Sequence, residues 1–455
     1  MIMNTPICDF VEKYCKGNAL RMHMPGHKGT DFLGFEHLDI TEFEGADDLY
    51  HPTGIIAESE KNASELFGFP TYYSTEGSSQ CIRAMMYLVT LYAKKQGKKP
   101  IIAAGRNAHK TFISAAALLD FDIMWLYPDE NESYLSCNIT PDKFEKFLEA
   151  TEEKPVALYL TSPDYLGKTA DIEGLSKVCH KNGILLVTDN AHGAYLKFLE
   201  NSQHPMDSGA DLCCDSAHKT LPVVTGGAYL HISDKFSEFS PKDVKKALAM
   251  FGSTSPSYLI LQSLDFCNSY LEGYKERLIS FLPLIADMKA RLEEKGFVFY
   301  GDEPMKLTFS AKNYGYSGTK LADILSKNNI FCEFSDPDYV VLMPTPETTE
   351  EELEKIEMAL SSIPKKEPVK TTPPKFTKAQ KVITVREATL SPSEILPISE
   401  CEGKILSAVT VGCPPAVPIL VCGERITKEA IESFRYYGIT ECSVINSEFE
   451  IRNSE

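Results

Sequence analysis

Several things are scarce or missing in this chain. Its 13 cysteines include no Cys-x-x-Cys pair, which argues against a zinc site or a disulfide framework and for reduced thiols. Basic residues are outnumbered, 46 Lys and Arg against 64 Asp and Glu, for a formal net charge of -18. Nucleic acid and anionic membranes both need clustered Lys/Arg to offset phosphate charge, so neither is expected as a partner. A cationic substrate sits more easily with this balance. No uninterrupted apolar run approaches the length that spans a bilayer. The opening Met1-Ile2-Met3-Asn4-Thr5-Pro6 lacks the basic n-region and apolar core of a signal peptide, so a cytoplasmic location is expected. Internal repeats and extended low-complexity tracts are absent too.

What remains is an ordinary globular composition: 455 residues, 43% of them hydrophobic, enough for two or three domains with at least one large core. From about 67 to 232, strand-like and helix-like segments alternate, the pattern of a mostly parallel sheet covered on both faces. The apolar runs 101–104, 155–160, 183–187 and 210–214 read as buried strands, with helices over 79–94 and 172–181 between them. Residues 241–294 read as mainly helical, with one long stretch over 258–291. Strands at 297–300, 306–309, 331–334 and 340–343, with helices near 318–326 and 349–363, predict a smaller α+β lobe. A Pro/Lys-rich stretch then reads as an exposed linker. The expected organisation is an N-terminal arm (1–60), a large domain with a bridging helix (61–275), a small α+β domain (276–363), a linker (364–378) and a C-terminal domain (379–455).

The most telling segments are Asp189-Asn190-Ala191-His192-Gly193 and Asp215-Ser216-Ala217-His218-Lys219-Thr220, each placed at a strand end. Ligands in such sheets bind at the carboxyl ends of the strands. An acid and a lysine delivered there by neighbouring strands are what pyridoxal phosphate chemistry requires. The lysine amine forms a Schiff base with the cofactor aldehyde, and the carboxylate keeps the pyridine nitrogen protonated so that the ring accepts electrons. Lys219 and Asp189 are the candidates. A lone Ser-x-His-Lys is weak evidence, since most lysines are solvated surface charges, but Pro222 and Gly226-Gly227 break the chain just beyond it as at a site.

Ser74-Thr75-Glu76-Gly77-Ser78-Ser79-Gln80 opens a helix. It is either an ordinary N-cap or a cradle for the cofactor phosphate, and donors from Ser216 and His218 favour the second reading. His109, in Arg106-Asn107-Ala108-His109-Lys110, is either a capping histidine or a flat ring stacked on the pyridine opposite Ala191. The histidines His23, His27, His109 and His192 show no recognised metal-ligand spacing, so no metal is expected. The stretch 21–29, with His23 and His27 around Pro25-Gly26, is either a surface arm or a loop lining a pocket shared between subunits. Asp47 and Asp48 either hold the cationic end of a substrate or belong to a solvated turn.

Together these motifs resemble the bacterial Orn/Lys/Arg decarboxylases. The resemblance is carried, in family order, by segments 23–29, 45–52, 106–110, 162–167, 189–193, 216–222 and 254–258, and by Cys413-Pro414-Pro415-Ala416-Val417-Pro418-Ile419-Leu420-Val421-Cys422-Gly423-Glu424 in the tail. It implies an α/β fold of the pyridoxal-phosphate-dependent transferase class, similar to the aspartate aminotransferases (fold type I), with a large mostly parallel sheet domain, a smaller α+β domain and a small C-terminal domain. The length resembles the family's short form, without an N-terminal wing domain. The implied activity is decarboxylation of lysine, ornithine or arginine to cadaverine, putrescine or agmatine.

The implied catalytic residues are Lys219, Asp189, His109 and His192. Gly77, Ser78, Ser79, Ala191, Ser216 and His218 would complete the cofactor site, with Thr254 or Ser255 reaching it from a neighbouring subunit of a homodimer or larger assembly. His23, His27, Asp47, Asp48 and Glu424 are the candidate substrate residues. The chain departs from the family pattern at Asn190, where Glu is usual, at Asp164, where Thr is common, at Tyr195, where a second His is common, and at Ala416 and Cys422. The same fold supports an aminotransferase or another lyase, and a catalytically idle amine-binding relative is the remaining alternative.

Overall fold

The computed structural model describes all residues except 1–2, 130–132, 235, 237, 376–377, 410–415 and 447–455. Cys413, Pro414 and Pro415 of the tail motif lie outside the described residues. Among the described residues, no helix is long and apolar enough to cross a membrane. The chain divides into two compact units, Met1–Lys98 with Ile172–Ile279, and Lys99–Asp171 with Ser280–Glu455. The segment read as an N-terminal arm is therefore part of the first unit.

Strands and helices alternate as the apolar pattern predicts: β1 (Thr71–Ser74), β2 (Ile101–Gly105), β3 (Asp122–Leu126), β4 (Ala157–Thr161), β5 (Leu185–Asp189), β6 (Leu212–Asp215) and β7 (Ala228–Ile232). In the first unit the order is β1-β7-β6-β5. There β5 and β6 run parallel, and β7 runs against both of its neighbours. In the second unit the order is β4-β2-β3, all parallel. Every residue of β2, β5, β6 and β7 is buried, which is why these segments read as continuous apolar runs rather than as alternating ones.

The predicted helices at 79–94 and 172–181 are found as Gly77–Lys95 and Ile172–Lys181. Strands β4, β5 and β6 start about two residues later than the apolar runs suggest, so Asp189 and Asp215 close their strands instead of following them. The long helix expected over 258–291 is two helices, Tyr258–Leu271 and Tyr274–Glu294. The break falls at Glu272-Gly273, where glycine's low helix propensity favours an interruption.

The second unit also holds a four-stranded antiparallel sheet of β8 (Phe299–Tyr300), β9 (Leu307–Ser310), β10 (Phe334–Ser335) and β11 (Tyr339–Leu342), in the order β10-β11-β9-β8. The C-terminal part pairs β12 (Ser393–Pro397) with β13 (Glu441–Ile445). Its own core includes Leu406, Leu420, Ile426, Phe434 and Val444.

Candidate active site

Parallel pairing of β5 and β6 places Asp189 opposite Cys214, and the backbone N–H of Asn190 donates to the Cys214 carbonyl at 3.0 Å. The ends of the two strands are thus held side by side, and each delivers its motif to the same edge. From β5 come Asp189, Asn190, Ala191 and His192. From β6 come Asp215 and then Ser216, which precedes the short helix Ala217–Thr220 carrying His218 and Lys219. Lys219 Nζ and His192 Nε2 lie 2.9 Å apart. Asp189 is buried, with Oδ1 accepting from the Ala191 N–H at 3.1 Å and from the Cys214 thiol at 3.7 Å. Burial pushes the Cys214 and Cys213 thiols well above their ordinary range, so they stay protonated beside this carboxylate.

A second element converges on the same motif. The helix Gly77–Lys95 begins directly after β1, and Gly77 turns the chain there with φ +71°. Ser216 Oγ donates to Ser78 Oγ at 2.8 Å, joining the start of this helix to the lysine motif. His218 Nδ1 donates to the Gly227 carbonyl at 2.9 Å, and the Gly77 N–H donates to Gly226 at 2.7 Å, so the glycine pair beyond Lys219 closes the loop back onto the site. Apart from its chain neighbours and the backbone of its own helix, no atom of the described residues lies within 4 Å of the point a Cβ on Gly77 would occupy.

Two family domains match this chain: Orn/Lys/Arg decarboxylase, major domain, over residues 5–295, and the C-terminal domain over residues 370–445. The chain belongs to the Orn/Lys/Arg decarboxylase family. These are pyridoxal-phosphate-dependent decarboxylases of basic amino acids, and pyridoxal 5'-phosphate is the cofactor. Among relatives, the uncharacterised protein YaaO of Bacillus subtilis is 30% identical over 94% of this chain and 93% of its own. The arginine decarboxylase of Halalkalibacterium halodurans is 28% identical over 95% of this chain and 93% of its own. Among solved structures, the lysine decarboxylase LdcF of Francisella novicida matches with a TM-score of 0.79 at 16% identity, over 98% of this chain and 81% of that one. The constitutive lysine decarboxylase of Escherichia coli gives 0.76 at 16% identity, over 98% of this chain and 82% of its own. The α/β fold expected from the sequence, a large domain with a mostly parallel sheet and smaller domains after it, is the fold of these structures.

The first unit fits the cofactor of an Orn/Lys/Arg decarboxylase. Two hydroxyls meeting in front of a helix N-terminus, with open space at Gly77, are a phosphate-type donor set. A buried carboxylate and a lysine amine touching an imidazole complete it. Thr254 and Ser255 are exposed in a loop whose Ser255 N–H donates to Ser253 Oγ at 3.1 Å.

The other candidates have defined places. His109 caps the helix Lys110–Leu119 in the second unit, its Nδ1 accepting from the Thr111 N–H at 3.2 Å. His23 Nε2 meets the Tyr14 hydroxyl at 2.7 Å, and its ring stacks on Phe43. His27 Nε2 lies 3.3 Å from Asp39. Asp47 is engaged on both oxygens, accepting from the N–H groups of Thr53 at 2.9 Å, Gly54 at 2.8 Å and Ile56 at 2.9 Å, and so caps the helix Ile55–Phe67. Asp48 accepts from the Tyr50 N–H at 2.8 Å. Glu424 is buried in the second unit against Arg106, at 2.9 Å.

One cluster escaped the sequence reading. His204 Nε2 and His231 Nε2 lie 3.0 and 3.1 Å from Asp215 Oδ2, and all three side chains are fully buried. Asn190 Nδ2 donates to the other oxygen of Asp215 at 2.7 Å. The Met206 N–H donates to His204 Nδ1 at 3.3 Å, so the proton of a neutral His204 sits on Nε2 and points at Asp215. That tautomer makes the three residues a hydrogen-bonded cluster rather than metal ligands, because metal bound at Nε2 would move the proton to Nδ1. Burial opposes the charge of Asp215, but the two imidazoles outweigh it and hold the carboxyl well below its ordinary range. The departure at Asn190 is therefore filled by a neutral donor facing a carboxylate one strand over.

The remaining departures are also buried. Tyr195 is fully buried in the short helix Ala194–Phe198. Asp164 accepts from the Ser136 hydroxyl and from the N–H groups of Leu166 and Lys168, both at 2.9 Å. Burial pushes its carboxyl up to about 6.

Proposed function

We propose that this chain decarboxylates one basic L-amino acid, with Lys219 as the amine that carries pyridoxal phosphate and Asp189 as the partner of the pyridine nitrogen. The observation that carries the reading is the Lys219 Nζ–His192 Nε2 contact of 2.9 Å beside the buried Asp189. Bound at Lys219, the cofactor supplies an electron sink for the pair released when the Cα–carboxylate bond breaks. Each residue then has a defined task. Asp189, buried and anchored through Oδ1, offers a fixed negative charge. Gly77, Ser78, Ser79, Ser216 and His218 would hold the phosphate, and Ala191 would cover one ring face. His192 exchanges a proton with Lys219 Nζ, which lets the amine act as acid or base when Cα is reprotonated. His109 is proposed as the residue that would stack on the pyridine ring.

The full-length arginine decarboxylases among the relatives make arginine the first substrate to test, with lysine and ornithine beside it. The product is the corresponding diamine or agmatine. We read the working form as a cytoplasmic homodimer or larger assembly, with Thr254 or Ser255 of one protomer serving the phosphate of the next and His23, His27, Asp47 and Asp48 at the substrate entrance. Purified protein with pyridoxal phosphate is assayed for carbon dioxide release from arginine, lysine and ornithine separately. Release from one of them is expected. A requirement for an α-keto acid, without carbon dioxide, supports an aminotransferase instead.

A further inference from the structure

The second unit contains a buried connection between the C-terminal domain and the loop that carries His109. Arg106 directly follows β2, and its backbone N–H donates to Leu126 at the end of β3 at 2.9 Å. Its guanidinium reaches into the C-terminal domain, donating to Glu424 Oε2 at 2.9 Å, to the Ile419 carbonyl at 3.1 Å and to the Pro418 carbonyl at 3.2 Å. The side chains of Arg106 and Glu424 are 1% and 5% exposed. Glu424 is itself fixed: its Oε2 accepts from the Val421 N–H at 2.8 Å, and its carbonyl accepts from Leu406 at 3.0 Å. Four residues past Arg106, the Lys110 N–H donates to the Ala416 carbonyl at 2.8 Å. That N–H belongs to the first turn of the helix His109 caps, where no intrahelical acceptor exists. The C-terminal domain thus holds the 106–110 loop at both ends, with His109 between the two anchors.

We infer that Arg106 and Glu424 are positioning residues through which the C-terminal domain sets the orientation of His109. A guanidinium fork donating from two nitrogens to one carboxylate oxygen and two carbonyls fixes direction as well as distance, which a lysine cannot do. The inference rests on the reading that His109 stacks on the cofactor ring. On that reading the C-terminal domain is part of the catalytic apparatus.

The experiment uses the full chain loaded with pyridoxal phosphate and the variants Glu424→Gln, Arg106→Lys, His109→Ala and Glu424→Gln/His109→Ala. Trp125 is the single tryptophan of the chain, and the Arg106 guanidinium lies 5.1 Å from its ring centre, so its emission reports directly on the connection. Glu424→Gln is expected to shift Trp125 emission and to speed hydrogen exchange of the Lys110 amide roughly fivefold. It is also expected to lower kcat by up to about 100-fold with KM little changed. In the His109→Ala background the same substitution is expected to cost nothing further in kcat. Arg106→Lys keeps the charge and the fold but not the fork, and is expected to show the same pattern. Unchanged Trp125 emission and Lys110 exchange in both variants would overturn the inference, as would fully additive losses in the double variant. Faster Lys110 exchange with a fully active His109→Ala enzyme would uphold the tether and overturn the ring-stacking role instead.

Discussion

Replacing Asp164 with Asn should stabilise the protein at neutral pH and do so in a pH-dependent way. Asp164 is 3% exposed, and burial pushes its carboxyl from an ordinary 3.8 up to about 6, against the bonds it accepts from Ser136, Lys168 and Leu166. A carboxyl whose folded value lies above its unfolded one binds its proton more tightly in the native state, so its contribution is favourable in acid and is lost as pH rises through about 6. At about 1.4 kcal/mol per pH unit, the gap between 3.8 and about 6 corresponds to about 3 kcal/mol at neutral pH. Asparagine cannot ionise. Its carbonyl oxygen can still accept from Leu166 and Lys168, and its amide can donate to Ser136. The variant should therefore match the wild type below about pH 4 and exceed it by up to about 3 kcal/mol above about pH 7. Urea unfolding followed by Trp125 emission reads this directly, because Trp125 and Asp164 belong to the same compact unit. A variant less stable than wild type at pH 7.5, or a difference that does not change with pH, would refute the reasoning.

Other outcomes follow from the site. Asp189→Ala should remove far more activity than Asp189→Glu, since only the latter keeps a negative charge for the ring nitrogen; steady-state rates at saturating cofactor check this. Asp215→Asn removes the charge that His204 and His231 share, at a cost of about 3 kcal/mol or more in folding stability by urea titration at pH 7. Because its folded value is depressed, that contribution should fade as pH falls below about 4. Asp47→Ala removes the cap of the helix Ile55–Phe67 and should cost about 1–2 kcal/mol in the same assay.

Much of the fold was legible because its signal is local. Apolar runs bounded by turn residues marked β2, β4, β5 and β6, and Lys219 and Asp189 each sit within a few residues of such a run. Boundaries were less so: where a strand begins depends on where its neighbour starts to pair, which moved Asp189 and Asp215 into the ends of β5 and β6. What was not legible depends on register and distance. His231 reaches Asp215 only because antiparallel β7 pairs His231 with Cys213, and Glu424 meets Arg106 across 318 residues. The capping role of Asp47 was not legible because a run of carboxylates near a turn has the same composition whether it binds a cation, lies in a solvated turn or caps a helix. Its place eight residues before Ile55, the first residue of the helix, hid that role, since a capping side chain is normally sought directly before the first turn. The phosphate and capping readings of the Gly77 segment use the same donors, so only the convergence of Ser78 with Ser216 favours the cofactor there.

The most direct test of the account is the visible spectrum of the protein with pyridoxal phosphate, recorded for wild type and Lys219→Ala, together with carbon dioxide release from arginine, lysine and ornithine. The account predicts a visible cofactor band that is lost in Lys219→Ala, and carbon dioxide from one of the three amino acids in the wild type alone. A band that persists in Lys219→Ala, or wild-type protein that binds the cofactor yet releases carbon dioxide from none of them, would contradict it.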